Sequence, residues 1–149
     1  MRMTPWFRGF KGSIELKDDK SSYIVKGKFE RRREELIITE LPIQVWSRNY
    51  KNFLEELAQK DIITDIREFH KDNSIRFELT VPDLQKKNDE EIEKEFKLTA
   101  NLSCTNFVLF DKDYKIRRYT NEKEIMNEFF EYRFSMYEKR KQDMLKRLN

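Results

Sequence analysis

Apolar and polar residues change their spacing several times along the chain, and each change marks an element. Ile75, Phe77, Leu79 and Val81 alternate with Arg76, Glu78 and Thr80, the two-residue period of a half-buried strand. The pattern predicts strands over Gly12–Lys17 and Ser22–Lys26, joined by a polar turn at Asp18–Ser21. Phe29 and the run Leu36–Ile38 complete a three-stranded meander, stopped at Pro42 because proline brings no N–H to a ladder. Tyr50, Phe53, Leu54 and Leu57 then recur at i, i+3, i+4 and i+7, one face of a helix capped by Ser47 and running to about Gln59. Strands Ile62–Phe69 and Ser74–Val81 flank Lys71-Asp72-Asn73, a hairpin. Asp83–Glu95 reads as a charged helix. Strands return at Phe96–Cys104, Asn106–Phe110 and, after a turn at Asp111–Asp113, Lys115–Tyr119.

The last segment is different. Thr120 or Asn121 can cap a helix, with Glu124 three residues after Asn121 as in a capping box. No Gly or Pro follows as far as Leu148, and Ile125, Phe129, Tyr132 and Met136 form one apolar stripe. Beyond Tyr137 the sequence turns to Glu-Lys-Arg-Lys-Gln-Asp. The expectation is a helix that buries its first half, leaves the domain, and reaches Asn149 without a stop signal, as a fragment would. Strands and helices in this order predict an α+β fold, a two-layer α/β sandwich with a mostly antiparallel sheet followed by a long C-terminal helix. The expected division is 1–120 and 121–149.

Composition narrows the reading. With 149 residues, 40% charged and 38% apolar, one domain is expected, and 12 Phe, 6 Tyr and 2 Trp supply bulk for a core. No apolar run approaches the roughly 18 residues that span a bilayer, so no membrane partner is expected. Cys104 is the only cysteine; it cannot form an internal disulfide, which fits a reducing intracellular setting. The net charge is only +3, so contact with a polyanion requires local segregation of charge. Residues 1–33 supply it, with ten Lys or Arg against four acids.

Catalytic signatures are missing. A single His70 and a single Cys104 build neither a catalytic pair nor a metal centre, and both read as strand-context residues. Neither G-x-x-x-x-G-K-[ST] nor G-x-G-x-x-G occurs. Glu55-Glu56 and Glu90-Glu91 fall on polar helical faces, where solvation is the default.

Specific strings then carry a resemblance. Thr4-Pro-Trp-Phe-Arg-Gly-Phe-Lys-Gly-Ser-Ile-Glu15, Ile38-Thr-Glu-Leu-Pro42 with Trp46, Phe96-Lys-Leu98 with Leu102-Ser-Cys-Thr-Asn-Phe-Val-Leu-Phe-Asp111, and Lys115-Ile-Arg-Arg-Tyr119 with Glu124-Ile125, Glu128-Phe129-Phe130, Arg133 and Tyr137-Glu-Lys-Arg-Lys141 occur in order across the chain. They resemble the tower, or shoulder, domain of the eukaryotic type IIA DNA topoisomerases. Where that family usually places a glycine before Lys115, Tyr114 stands, and Asp113 is expected to take the positive φ. The Leu84–Asn88 region matches poorly.

The resemblance implies a non-catalytic, DNA-positioning part of an ATP-dependent enzyme that passes one duplex through a transient double-strand break in another. The nucleophilic tyrosine, the Mg²⁺ carboxylates and the ATP site would precede this segment in the full-length protein. The chain itself would carry no cofactor, and its last helix would begin a coiled-coil arm. Double-stranded DNA, a homodimeric full-length enzyme and the nucleus are implied as partner, assembly and location. Phosphate contact needs only rigidly held cations. Arg8 and Lys11 are the first candidates; Lys26 and Lys28, two apart and expected to share a sheet face, extend the track; Lys115, Arg117 and Arg118 form a second cluster. Arg31–Arg33 reads as a solvated turn. Trp6, Phe7, Phe10, Tyr132, Met136 and Tyr137 read as packing residues. Two alternatives stand beside this reading: a structural module linking the cleavage core to the dimer gate with little DNA contact, and a free-standing α+β nucleic-acid-binding protein.

Overall fold

The computed structural model describes residues 3–18, 22–71 and 74–148. In chain order the elements are β1 (Ser13–Leu16), β2 (Ser22–Lys26), β3 (Lys28–Arg32), β4 (Glu35–Glu40), α1 (Ser47–Gln59), β5 (Asp65–Glu68), β6 (Phe77–Thr80), α2 (Asp89–Glu95), β7 (Thr99–Ser103), β8 (Val108–Phe110), β9 (Ile116–Arg118) and α3 (Glu122–Leu148), with a 3-10 turn at Leu84–Lys86 before α2. This is the expected α+β class, with antiparallel sheets and a long C-terminal helix. Backbone contacts group Thr4–Leu102 into one compact unit and Ser103 onward, with Met3, into another. That grouping falls at a different place from the 120/121 division drawn from the sequence.

The first unit is organised by a four-stranded sheet in the order β3-β4-β6-β5. Its neighbours all pair antiparallel, with Leu36 opposite Leu79, Ile38 opposite Phe77 and Ile66 opposite Leu79. The β-branched run of β4 suits a central strand, and Leu36, Ile37 and Ile38 are all buried. The alternation read in β6 holds: Phe77 and Leu79 are buried and Glu78 and Thr80 are not. Tyr50, Leu54 and Leu57 of α1, Ile92 of α2, and Phe96 and Leu98 join the β4 and β6 residues in one core cluster. Each large apolar side chain so buried contributes about 1.5–3 kcal/mol. The Tyr50 hydroxyl, buried with it, donates to the Phe96 carbonyl at 2.7 Å, and burial holds its pKa far above the ordinary phenol value.

Several expectations are corrected. Residues 11–41 do not form one meander. β1 and β2 pair with each other and, through β2, with β7, whereas β3 and β4 belong to the four-stranded sheet. The chain changes sheets at Gly27, whose N–H donates to the Leu98 carbonyl at 2.8 Å. A Cβ there would overlap the Glu40 carbonyl oxygen, so only glycine fits the crossing. Lys26 and Lys28 consequently lie in different sheets and do not share a face of one strand. Trp46, not Ser47, occupies the N-cap of α1, without a side-chain hydrogen bond. The charged stretch 83–95 is divided into the 3-10 turn, which ends where Lys87 turns extended, and α2, which Asn88 caps. Asn88 accepts from the Glu91 N–H at 2.8 Å while Glu91 accepts from the Asn88 N–H at 2.9 Å, a full capping box. Two expected turns fall partly outside the described residues, at 19–21 and at 72–73; Lys71 and Ser74, flanking the second, are bridged.

In the second unit β8 and β9 form an antiparallel hairpin. The capping arrangement at α3 is close to the one expected: Asn121 accepts from the Glu124 N–H, and Glu124 reaches back to the Thr120 N–H at 2.8 Å. The expected burial of the helix is not found. Among its described residues none is buried, and Ile125 and Met136 are only half-buried. A two-stranded hairpin is too small a surface to cover the apolar stripe, and Phe129, Phe130, Phe134 and Tyr137 remain more than half exposed.

Candidate nucleic-acid interface

The seven candidate cations occupy two places. In the first unit, residues 7–10 make a turn in which the Phe10 N–H donates to the Phe7 carbonyl at 3.3 Å and Gly9 takes φ +80°, a conformation natural to glycine. Arg8 is exposed in that turn, and Lys11 is exposed just before β1. Gly12 lies against the end of β2 so closely that a Cβ would meet the Lys26 carbonyl oxygen. Ser13 pairs with Lys26, and Lys28 follows one residue after the sheet crossing. The register therefore brings Lys11, Lys26 and Lys28 to one end of the β1–β2 pair, with Arg8 in the turn leading into it.

These cations differ in what already holds them. Lys26 sits between Glu93 at 3.4 Å and Glu15 at 3.7 Å; burial opposes its charge, but the two carboxylates outweigh that and raise its pKa. Arg8, Lys11 and Lys28 are exposed and form no ion pair with a described residue. The triple Arg31–Arg33 divides in the same way. Arg31 reaches Asp89 and the Lys87 carbonyl, Arg32 pairs with Glu30, and Arg33 is exposed in the β3–β4 turn at φ 52°.

The hairpin β8–β9 carries the second group. Its turn is built by Asp111, whose carboxylate accepts the Asp113 and Lys115 N–H groups, each at 2.9 Å. Those bonds favour the ionised form, that from Lys115 most, and lower the Asp111 pKa. The positive φ falls on Tyr114 (φ 60°) and not on Asp113, since the Asp111 carboxylate holds Asp113 ahead of it. Lys115 and Arg118 are exposed without an ion-pair partner among the described residues, whereas Arg117 is fully engaged. Its guanidinium bridges Glu128 at 2.8 Å and Glu124 at 2.9 Å and lies over the Tyr119 ring, 5.0 Å from its centre. Tyr119, buried, donates to the same Glu128 oxygen at 3.1 Å. Glu124 is held below its ordinary pKa, first by the Thr120 N–H and then by Arg117.

Glu124 is legible in the sequence as a capping residue, but Glu124 and Glu128 are not legible there as the partners of Arg117. Their spacing of four puts them on one helix face; nothing in the sequence aims that face at β9. Of the aromatic residues expected to pack, Phe7 and Phe10 are half-buried, but Trp6 is 76% exposed and Tyr132 and Tyr137 are exposed. His70 and Cys104 lie just beyond strand ends. Among the described residues no three His, Cys, Asp or Glu side chains converge as a metal ion would require, and no helix is long and apolar enough to cross a membrane.

The sequence profile of the DNA gyrase/topoisomerase IV family, in its A-subunit branch, matches residues 1–149. The chain belongs to this family. Among its topoisomerase relatives, DNA topoisomerase 2 of Arabidopsis thaliana is 37% identical over 98% of the chain, which covers 10% of that protein. The protein named DNA topoisomerase 2, mitochondrial, of Dictyostelium discoideum is 35% identical over 99% of the chain, which covers 12% of it. The chain thus spans about a tenth of the length of these relatives. A crystal structure of the Plasmodium falciparum topoisomerase II DNA-binding, cleavage and re-ligation domain superposes on 97% of the chain, and on 20% of its own length, with a TM-score of 0.87 and 39% identity.

Proposed function

We propose that this topoisomerase-family chain is a DNA-positioning, non-catalytic part of an ATP-dependent type IIA DNA topoisomerase, holding the duplex that is opened. The observation that carries the reading is its likeness over nearly its whole length to part of a topoisomerase II domain that binds, cleaves and re-ligates DNA. The uncommitted cations support it: Arg8, Lys11 and Lys28 near one strand end, and Lys115 and Arg118 on the hairpin, need lose no internal partner to meet a phosphate. On this reading ATP, Mg²⁺ and the nucleophile belong to other parts of the full-length protein, which acts as a homodimer. The nucleus is the proposed location, although one relative carries "mitochondrial" in its name.

The test uses the full-length protein. Each phosphate neutralised contributes about 0.9 to the slope of log affinity against log salt. Changing Arg8, Lys11, Lys28, Lys115 and Arg118 together to Gln should flatten that slope by about 0.9 for every phosphate no longer neutralised. An unchanged slope and affinity would reject the DNA role of these residues. It would favour the second reading, a mechanical link, which the engagement of Arg117 with α3 supports.

A further inference from the structure

Resting on that DNA reading, we infer that Arg117 is a positioning residue: it clamps the β8–β9 hairpin to the first turns of α3, so that Lys115 and Arg118, three apart along the strand line and so on opposite faces of it, are each held in a fixed place to meet phosphate. Three observations carry this. Its two terminal guanidinium nitrogens are each within 2.9 Å of a different carboxylate one helical turn apart, a two-pronged grip suited to a planar fork and not to an ammonium group. Its flat face is covered by Tyr119, which is tied to the same Glu128. Glu124 in turn holds the Thr120 N–H, so strand end, linker and helix share one network of charge-assisted bonds. The neighbouring cations Lys115 and Arg118 have no such tie among the described residues.

A guanidinium that itself touched phosphate would compete with these carboxylates, which gives the two roles opposite signs. In the full-length protein, E124Q/E128Q and, separately, R117Q and R117K are compared with wild type. Affinity for a short duplex at several salt concentrations is measured alongside hydrogen exchange at the hairpin amides. The clamp predicts faster exchange in all three variants and about tenfold weaker binding, with R117K closer to R117Q than to wild type. The salt slope should stay near the wild-type value, because no phosphate-binding cation is deleted. Tighter binding by E124Q/E128Q, or near-normal binding by R117K, would overturn the inference and assign Arg117 to phosphate. Faster exchange with unaltered affinity would also overturn it. K115Q/R118Q separates this from failure of the underlying reading: a slope unchanged in that variant removes DNA from the hairpin altogether, and the inference with it.

Discussion

At Tyr114 local energy and sequence disagree. At φ 60° a side chain with a Cβ costs about 1–2 kcal/mol over the right-handed region, and Tyr114, 88% exposed, gains little packing in return. The turn forms because Asp111 holds the backbone on both sides. Tyr114→Gly should therefore raise stability by about 0.5–1 kcal/mol, the strain relieved less the extra freedom of glycine in the unfolded chain. Denaturant midpoints of the two forms would show it; a loss of stability would mean the tyrosine makes an offsetting interaction. A positive φ in this turn is legible in the sequence, but at Asp113, because the preference of Asp for that region is intrinsic while the Asp111 bonds depend on the folded turn.

Among the elements, α3 joins the hairpin through ionised groups, and its attachment is therefore sensitive to acid. Glu124 has its pKa lowered from an ordinary 4.5, and Asp111 from 3.8. A depressed carboxylate contributes stability that is complete above its unfolded value and is lost as pH falls through the folded one. The attachment should thus be intact at neutral pH and fade below 4.5 as Glu124 is protonated, seen as faster exchange of the Thr120 amide, while the hairpin turn that Asp111 builds should loosen below 3.8, seen at the Lys115 amide. Exchange that stays constant across this range, once intrinsic rates are removed, would refute this. Helices and strands are legible in the sequence because they follow period: α1 begins and ends where its apolar face does, and β6 alternates as written. Sheet membership is not. A meander and two separate sheets use the same alternation, and the distinction lies in the close approach of Gly27 to Glu40, between residues thirteen apart.

At the scale of the whole molecule, buried and exposed aromatic residues carry different weight in stability. The core cluster of the first unit contains Phe77, and Phe77→Ala should cost about 3–5 kcal/mol. Phe130 and Phe134 stack on each other, with ring centres 5.8 Å apart, yet both are about two-thirds exposed. Changing both to Ser should alter the unfolding free energy of the first unit by less than about 0.5 kcal/mol, read from its denaturant midpoint; a larger effect would show those rings to be part of its support. The charged candidates are legible as residue types and clusters. Their availability is not, since it depends on Glu15, Glu93, Glu124 and Glu128, which reach Lys26 and Arg117 only after the chain has folded.

The sheet crossing at Gly27 has a mechanical consequence. Its amide is bound to Leu98 and its α-carbon rests against the backbone at Glu40, so the crossing is gripped from both sides by strands or strand ends remote in sequence. A pull delivered to Lys26 or Lys28 therefore meets the β1–β2–β7 ladder on one side of the corner and the β3–β4 ladder on the other.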